Sequence, residues 1–343
     1  MRLKMTDICG RLKTIPSFLL FNFCFLIYLT VGAGLFLLTG VVWLTVVFAL
    51  VLAAYLLLLR WKTRDRAVFV ALKGGVVFVL VFLFGLVLKV LCFEVYSVSS
   101  SSMAPGLVPG DVIVVNKMAV GPRLPRSSAD IPWLNVLFSR GQKADAANGE
   151  HRRLAGISRT RKGDVLVFVP PWNEEQFFVK RCAGLPGDTV TVRDAVLKNP
   201  PMEMRSGYLR SIDPAWTIYN FGPLLLPQKG LNIVLDDRSY AAYNGILRDF
   251  EGVDVAKTED GRFLAGEKEI NGHTFKKNYY FMAGDNRADS QDSRYFGPVP
   301  EENIIGRANL VLLSLGGKSF RWKRLLKLIG NDAVNSDEPE FDQ

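Results

Sequence analysis

The chain has 343 residues, a net charge of +9, 49% hydrophobic residues, 23 Phe and a mean hydropathy of +0.17. Counted with Gly and without Tyr, the apolar share is roughly 55% against ~45–50% in a soluble domain, which excludes a disordered or collagen-like chain. Four cysteines in this length exclude a disulfide-built scaffold. The charge fits either nucleic acid or an anionic surface, and its position along the chain decides between them.

No charged residue occurs between Lys13 and Arg60. As one helix those 46 residues would run about 69 Å, more than twice the ~30 Å hydrocarbon core. Two spans joined by a tight turn are predicted, at 18–38 and 41–59, and a third at 67–88. A re-entrant hairpin in place of the first pair stays open. Lys73 interrupts the third span one turn from its end, where it can snorkel to the interface. A cleaved signal sequence is too short to account for the region, so 1–92 is read as a membrane anchor. Residues 1–66 hold eight basic side chains against Asp7 and Asp65, which is +6 of the total +9. They fall in the N-terminal tail and in the loop before the third span. The positive-inside rule puts both in the cytoplasm and everything after about residue 90 outside. The charge is then an orientation signal, and nucleic acid is not an expected partner.

Past residue 90 the composition turns to short β-branched and aromatic runs punctuated by Gly, Pro and Asp. Strands are predicted at 93–98, 111–115, 164–169, 177–182, 189–192, 279–282 and 308–315. The fold class is therefore N-terminal transmembrane helices followed by a mainly-β exported domain. Its core comprises 93–195 and 277–330, and 196–276 is read as an inserted second β-rich subdomain. Residues 131–138 form an apolar knot in a basic stretch, read as a small piece of core rather than a membrane-dipping element. Segment 318–327 carries five basic residues among Phe320, Trp322, Leu325 and Leu326. Either a solvated helix or a contact with anionic lipid fits it. Residues 331–343 read as an acidic disordered tail.

His151 and His273 lie in polar surroundings and read as solvated side chains. No Cys/His cluster has zinc spacing and no Gly-rich phosphate loop follows a strand, so neither metal nor cofactor is expected. Three segments do carry chemistry. The first is Ser99-Ser100-Ser101-Ser102-Met103-Ala104-Pro105, which leads into a Pro-Gly-Asp turn at Asp111. The second runs from Phe177 to Asp188. In an extended strand Phe178, Lys180 and Cys182 share one face and Phe177 and Val179 the other, which predicts a largely buried strand. A lysine there is either snorkelling or desolvated for a purpose. The third, Gly284 to Pro298, is too dense in Asp, Ser and Arg for a plain turn.

These segments, together with Lys162-Gly163-Asp164 and the strand after it, resemble the boxes of bacterial type I signal peptidases (leader peptidases). The four motifs occur in that family's order behind a membrane anchor, and the resemblance covers about 93–315. It implies a signal-peptidase/LexA-like β fold and a serine protease that cuts signal peptides from exported preproteins with a Ser-Lys dyad. By position it implies Ser102 as nucleophile, Lys180 as general base and Ser100 as part of the oxyanion hole. Ser290 would orient the lysine, with Asp292 and Arg294 in support. Ser99 and Ser101 stand where Pro and Gly are common, and Gly106 where Thr is common, so Ser101 stays a rival to Ser102. The family also implies a small-x-small (Ala-x-Ala) cleavage site, a substrate strand laid beside 93–98, and shallow pockets for which Val95 and Val98 are the candidates. Expected partners are preprotein signal peptides, the phospholipid bilayer and the secretion translocon. The expected location is the bacterial inner (plasma) membrane, multi-pass, with the catalytic domain on the outer or periplasmic side. A Cys92–Cys182 disulfide is an alternative to two unpaired thiols.

A self-cleaving repressor with a Ser-Lys pair would need a DNA-binding helix-turn-helix where this chain has apolar spans. Dedicated pilus or mitochondrial inner-membrane peptidases usually lack an insert like 196–276. A catalytically dead membrane adaptor would be expected to have lost Ser102, Lys180 or Ser290.

Overall fold

The computed structural model describes residues 66–125, 152–170, 176–193, 212–213, 216–217, 219–317 and 319–330, with single helical positions at 46, 50, 51 and 53. The span predicted at 18–38, nearly all of that at 41–59, the knot at 131–138, His151 and the tail at 331–343 lie outside the described residues. The chain divides into two compact units: Met1–Leu91 with Leu124–Arg152, and Cys92–Arg123 with Arg153–Gln343.

In the first unit, helix α1 (Arg66–Val87) covers the predicted third span and runs into a π-helical turn at Leu88–Cys92. The stretch Val70–Cys92 has a mean hydropathy of 2.8 and is, among the described residues, the one helix long and apolar enough to cross a membrane. Its outward side chains are themselves apolar, with Val70, Phe78 and Val81 all strongly exposed. A helix that is hydrophobic all round suits lipid rather than water.

The second unit is built on one curled antiparallel sheet. Its strands are β1 (Phe93–Ser97), β2 (Asp111–Asn116), β3 (Val165–Phe168) and β4 (Phe178–Gly184). After β5 (Thr189–Val192), which lies off this sheet, come β6 to β11, described below. The sheet is completed by β12 (Tyr279–Ala283), β13 (Val299–Pro300) and the long β14 (Ile304–Gly316), with β15 (Ser319–Phe320) and β16 (Lys327–Leu328) attached to β14. The order is β1-β2-β14-β3-β4-β12-β13. Three strands separate β1 from β4, yet the rings of Tyr96 and Phe177 lie 4.4 Å apart, so the sheet closes into a half-barrel. That curl brings the loop after β1 to the face of β4.

Local chemistry explains where the strands start. At Gly110-Asp111, Gly163-Asp164 and Gly187-Asp188 the Asp carboxylate accepts the N–H three residues earlier, at 2.9, 2.9 and 2.7 Å. Each of these turns launches a strand: β2, β3 and β5. Gly110 has φ +91, the left-handed region that the third position of such a turn demands. Strand β2 then alternates buried and half-buried residues, with Ile113 and Val115 fully enclosed. Met103 and Leu107, each 1% exposed, drop into the same core and tie down the serine loop at about 2 kcal/mol apiece.

The region read as an insert holds β6 (Phe221–Leu225), β7 (Asn232–Val234), β8 (Val255–Lys257), β9 (Phe263–Ala265), β10 (Lys268–Glu269) and β11 (Gly272–Thr274). It also carries a helix the strand pattern does not announce, α2 (Asp237–Asp249), started by a reciprocal Asp236–Ser239 capping box. Ala242, Tyr243, Ile246 and Leu247 form its buried stripe. They pack into a cluster that continues without a break into Val190, Tyr279 and Phe281. Two expectations change here. His273 is not solvated: its Nε2 lies 3.4 Å from the fully buried Glu251 carboxylate, which also accepts Tyr279 Oη–H at 2.9 Å and Lys276 N–H at 2.9 Å. Buried carboxylates need such partners, and the ring serves as one. The 319–328 segment is not a helix but two short strands around a 3₁₀ turn at Trp322–Arg324, because β14 offers it a ladder.

At Gly110 an added Cβ would lie 1.8 Å from the Leu315 carbonyl oxygen, on a backbone that L side chains rarely adopt. Gly110→Ala should cost at least ~2 kcal/mol and lower the melting temperature of the detergent-solubilised chain by several degrees. An unchanged melting curve would refute the tight packing of this turn on β14.

Candidate active site

The serine loop leaves β1 and returns to β2 through hydrogen bonds at both ends: Val98 N–H donates to Asp111 O, and Gly110 N–H to Val98 O, each at 2.8 Å. Between them Ser102 is buried (6% exposed), and Lys180 donates from Nζ to Ser102 Oγ at 2.7 Å. Ser100 Oγ lies 3.1 Å from Ser102 Oγ. Ser101 turns the other way, its hydroxyl donating to Asp289 Oδ2 at 2.5 Å. Of the four serines, Ser102 is the one brought to the lysine.

Strand β4 is less evenly buried than its pattern predicts. Phe177 is 49% exposed, Phe178 and Val179 are half-buried, and full burial begins at Lys180. The pairings explain this. Strand β3 flanks Phe178 to Arg181, whereas β12 pairs with Arg181, Cys182 and Gly184. Lys180 thus sits where the strand enters cover, 4% exposed, with Nζ 5.4 Å from the centre of the Phe178 ring. Burial pulls its pKa down to about 8. Asp292, Asp285 and Asp289 pull the other way, and Arg294 supports the depression.

The nearest carboxylates are already spoken for. Asp292 and Arg294 are fully enclosed and joined twice, Nε to Oδ1 at 2.8 Å and Nη2 to Oδ2 at 2.9 Å. Asp292 also caps the one-turn helix α3 (Ser293–Phe296) and accepts Gly284 N–H at 3.0 Å. Burial works against its charge, but Arg294 and the Gly284 N–H hold the carboxyl below the usual range. Asp285 is joined twice to Arg181 from the opposite face of β4, at 2.7 and 2.8 Å. Gly106 faces this pair: a Cβ there would lie 2.6 Å from Asp285 Oδ2.

Ser290 departs from expectation. It is buried, but among the described residues its hydroxyl has no hydrogen-bond partner, Lys180 included. Its oxygen occupies the space a side chain at Gly284 would fill, 2.1 Å from where that Cβ would be. The same Cβ would lie 2.6 Å from the Ser102 carbonyl oxygen, so the serine loop and the end of β12 meet across a residue that must be glycine. Val95 and Val98 do not share a face: Val95 is 54% exposed, while Val98 is 6% exposed and packed in the core. They cannot line one pocket together. Cys92 and Cys182 are both free thiols.

Sequence reasoning missed the residues that hold the loop from behind. Asp111 is fully buried and takes Arg324 Nε at 2.8 Å and Nη2 at 2.5 Å, while the same Nη2 donates to Gly106 O at 2.9 Å. Arg321 donates to Pro109 O at 2.9 Å. Burial opposes the Asp111 charge, but hydrogen bonds from Arg324, Ser314 and the Val108 N–H keep its carboxyl below the usual range. The density of arginines in this segment was the available signal, and it read as a surface.

Chemically, a buried amine of lowered pKa within 2.7 Å of a serine hydroxyl can act as a base towards it once deprotonated, with a second hydroxyl beside it able to bind an oxyanion. Comparison with known proteins gives the family. The family model for signal peptidase, peptidase S26, matches residues 71–313. A signal peptidase I of Buchnera aphidicola subsp. Baizongia pistaciae is 27% identical over 254 residues, covering 69% of this chain and 74% of the relative. The signal peptidase I of Helicobacter pylori is 26% identical over 280 residues, 71% of this chain and 89% of its own. That of Pseudomonas aeruginosa is 29% identical over 239 residues, 67% and 68%.

The lysine also has a stability signature. Its pKa is about 8 when folded against an ordinary 10.5. Between those values the unfolded chain binds more protons, so stability rises with pH across that window. The cost of the buried ammonium, about 3 kcal/mol, is fully present below pH ~8 and relieved by ~10.5. Lys180→Met should melt above wild type at pH 7, with the difference vanishing towards pH 10.5. A gap that does not vary with pH would contradict a depressed pKa.

Proposed function

This chain belongs to the signal peptidase family, peptidase S26, and we propose that it removes signal peptides from preproteins with Ser102 as nucleophile and Lys180 as general base. It is a signal peptidase I enzyme, a hydrolase of a family that is typically membrane-anchored. The observation that carries the dyad is the 2.7 Å contact between Lys180 Nζ and Ser102 Oγ, both side chains being buried.

The energetics support it. Holding an ordinary lysine neutral at about pH 7.4 costs roughly 4 kcal/mol, whereas a pKa of about 8 reduces that to about 1 kcal/mol and leaves about one molecule in five ready. The neutral amine takes the Ser102 proton as Oγ attacks the scissile carbonyl. The oxyanion is met by the Ser100 hydroxyl and the Ser102 N–H, and protonated Lys180 returns its proton to the leaving amine. The acyl-enzyme is then hydrolysed by a water that Lys180 deprotonates. Asp292 and Arg294 support the box that carries Ser290, which lies across Gly284 from the nucleophile.

The substrate enters as an extended strand. Among the described residues strand β1 is laddered to β2 on one side, and the stretch from Phe178 to Lys180 is laddered to β3, which favours a substrate strand laid along their other edges beside the serine loop. Shallow pockets near Ser102 would admit small side chains, giving cleavage after a small-x-small site such as Ala-x-Ala. Val98 is the better-placed wall of the two valines, since Val95 faces away. The apolar helix Val70–Cys92 and the basic excess of residues 1–66 favour a multi-pass anchor in the bacterial inner membrane, with the catalytic unit on the outer or periplasmic side and within reach of the translocon.

Incubation with a preprotein, followed by mass spectrometry of the new N-terminus, should give cleavage after a small-x-small site. Ser102→Ala and Lys180→Met should each lose activity by at least ~10³-fold. For the wild type, kcat/KM should rise about tenfold per pH unit and level off above pH ~8, because the deprotonated amine is the active form. Retained cleavage in Lys180→Met, or a profile flat from pH 6 to 9, would sink the dyad.

A further inference from the structure

The 3₁₀ turn Arg287–Asp289 follows Asn286, whose side chain makes no capping bond to the turn. It reaches instead to the serine loop. Asn286 Nδ2 donates to the Ser101 carbonyl at 3.3 Å, and Asn286 N–H donates to the Ser102 carbonyl at 3.0 Å. Ala104 N–H donates to the same Ser101 carbonyl at 2.9 Å. At the other end of the turn Asp289 Oδ2 accepts the Ser101 hydroxyl, and Asp289 N–H closes back on Asn286 O at 3.0 Å. One turn therefore grips Ser101 and Ser102 at three points.

The Ser101–Ser102 peptide is trans, so the Ser101 C=O and the Ser102 N–H lie antiparallel in one plane. Fixing that carbonyl fixes the direction of the N–H. We propose that Asn286 and Asp289 are positioning residues that lock the Ser101–Ser102 peptide plane and thereby aim the Ser102 N–H at the oxyanion. This rests on the reading of Ser102 as nucleophile. The Ser101–Asp289 bond is exposed, and such a bond adds little to folding stability. Its effect falls on the transition state, where a misdirected donor loses most of its worth. It also gives Ser101 a purpose that needs no nucleophilic role.

The test uses the full-length detergent-solubilised enzyme, a peptide substrate with an Ala-x-Ala site, and a peptidyl aldehyde with the same ending as transition-state analogue. Asn286→Ala should lower kcat about 10- to 100-fold with KM within about twofold, and weaken the aldehyde in parallel. Ser101→Ala and Asp289→Ala should each lose about fivefold in kcat, and the double variant no more than either alone. Asp289→Asn, which keeps an acceptor, should lose less than Asp289→Ala, and Ser101→Thr should restore much of what Ser101→Ala loses. Ser101→Ala removes one oxygen and carries the test if Asn286→Ala does not fold. Unchanged kcat in these variants, or a fall in kcat with aldehyde affinity intact, would overturn the proposal. Labelling by a serine-directed acylator separates the two readings. If Ser101→Ala abolishes labelling and Ser102→Ala does not, the nucleophile assignment fails; if labelling follows Ser102 while kcat ignores Asn286, only the positioning role fails.

Discussion

A lysine amine withheld from water is the constraint around which this site is arranged. Burial at the point where β4 gains its second neighbour makes the charged form costly. The rest of the box keeps that cost from being cancelled. Two carboxylates, Asp292 and Asp285, lie close enough to favour the ammonium, and each is bound twice by an arginine of its own. Paired in this way they act as structural hinges, Asp292 tying α3 to Gly284 and Asp285 tying the last box to the back of β4. An unpaired acid in either place would return the lysine towards its solution behaviour.

The serine loop is held with comparable care, and from several directions. Apolar anchors at Met103 and Leu107 pull it into the half-barrel, and the turn after Asn286 takes hold of its front. Arg324 and Arg321 brace its rear through Asp111, Gly106 and Pro109. Four consecutive serines would ordinarily form a flexible linker. Here the surroundings, not the residues themselves, provide the rigidity that a preorganised oxyanion site requires.

Much of this was legible in the chain and some was not, for reasons that differ by element. Strands β1 to β5, β12 and β14 announce themselves through β-branched and aromatic runs, with Gly-Asp turns launching β2, β3 and β5, and the three chemical segments stand out by composition alone. Helix α1 follows from hydropathy. The Arg324–Asp111 clamp joins residues 213 apart in sequence, and no local pattern encodes a pairing at that distance. Likewise His273 looks like a loop residue until Glu251 is found beneath it. The basic, aromatic segment near 320 resembled a surface helix because its partner, the far half of β14, is visible only in the folded sheet. Ser290 was expected beside Lys180 by resemblance, but its hydroxyl lies over a glycine six residues earlier.

The clamp on Asp111 has a consequence for the order in which the molecule becomes competent. Ser102 and Lys180 are synthesised early, and the box that shields them follows. Yet the brace behind the loop arrives only with Arg321 and Arg324, and Arg181 gains its contact to the Gly330 carbonyl (3.1 Å) later still. A nascent chain halted before these residues would carry every atom of the dyad with its serine loop unsupported on one side. The full set of braces on the serine loop therefore exists only once almost the whole domain has been made.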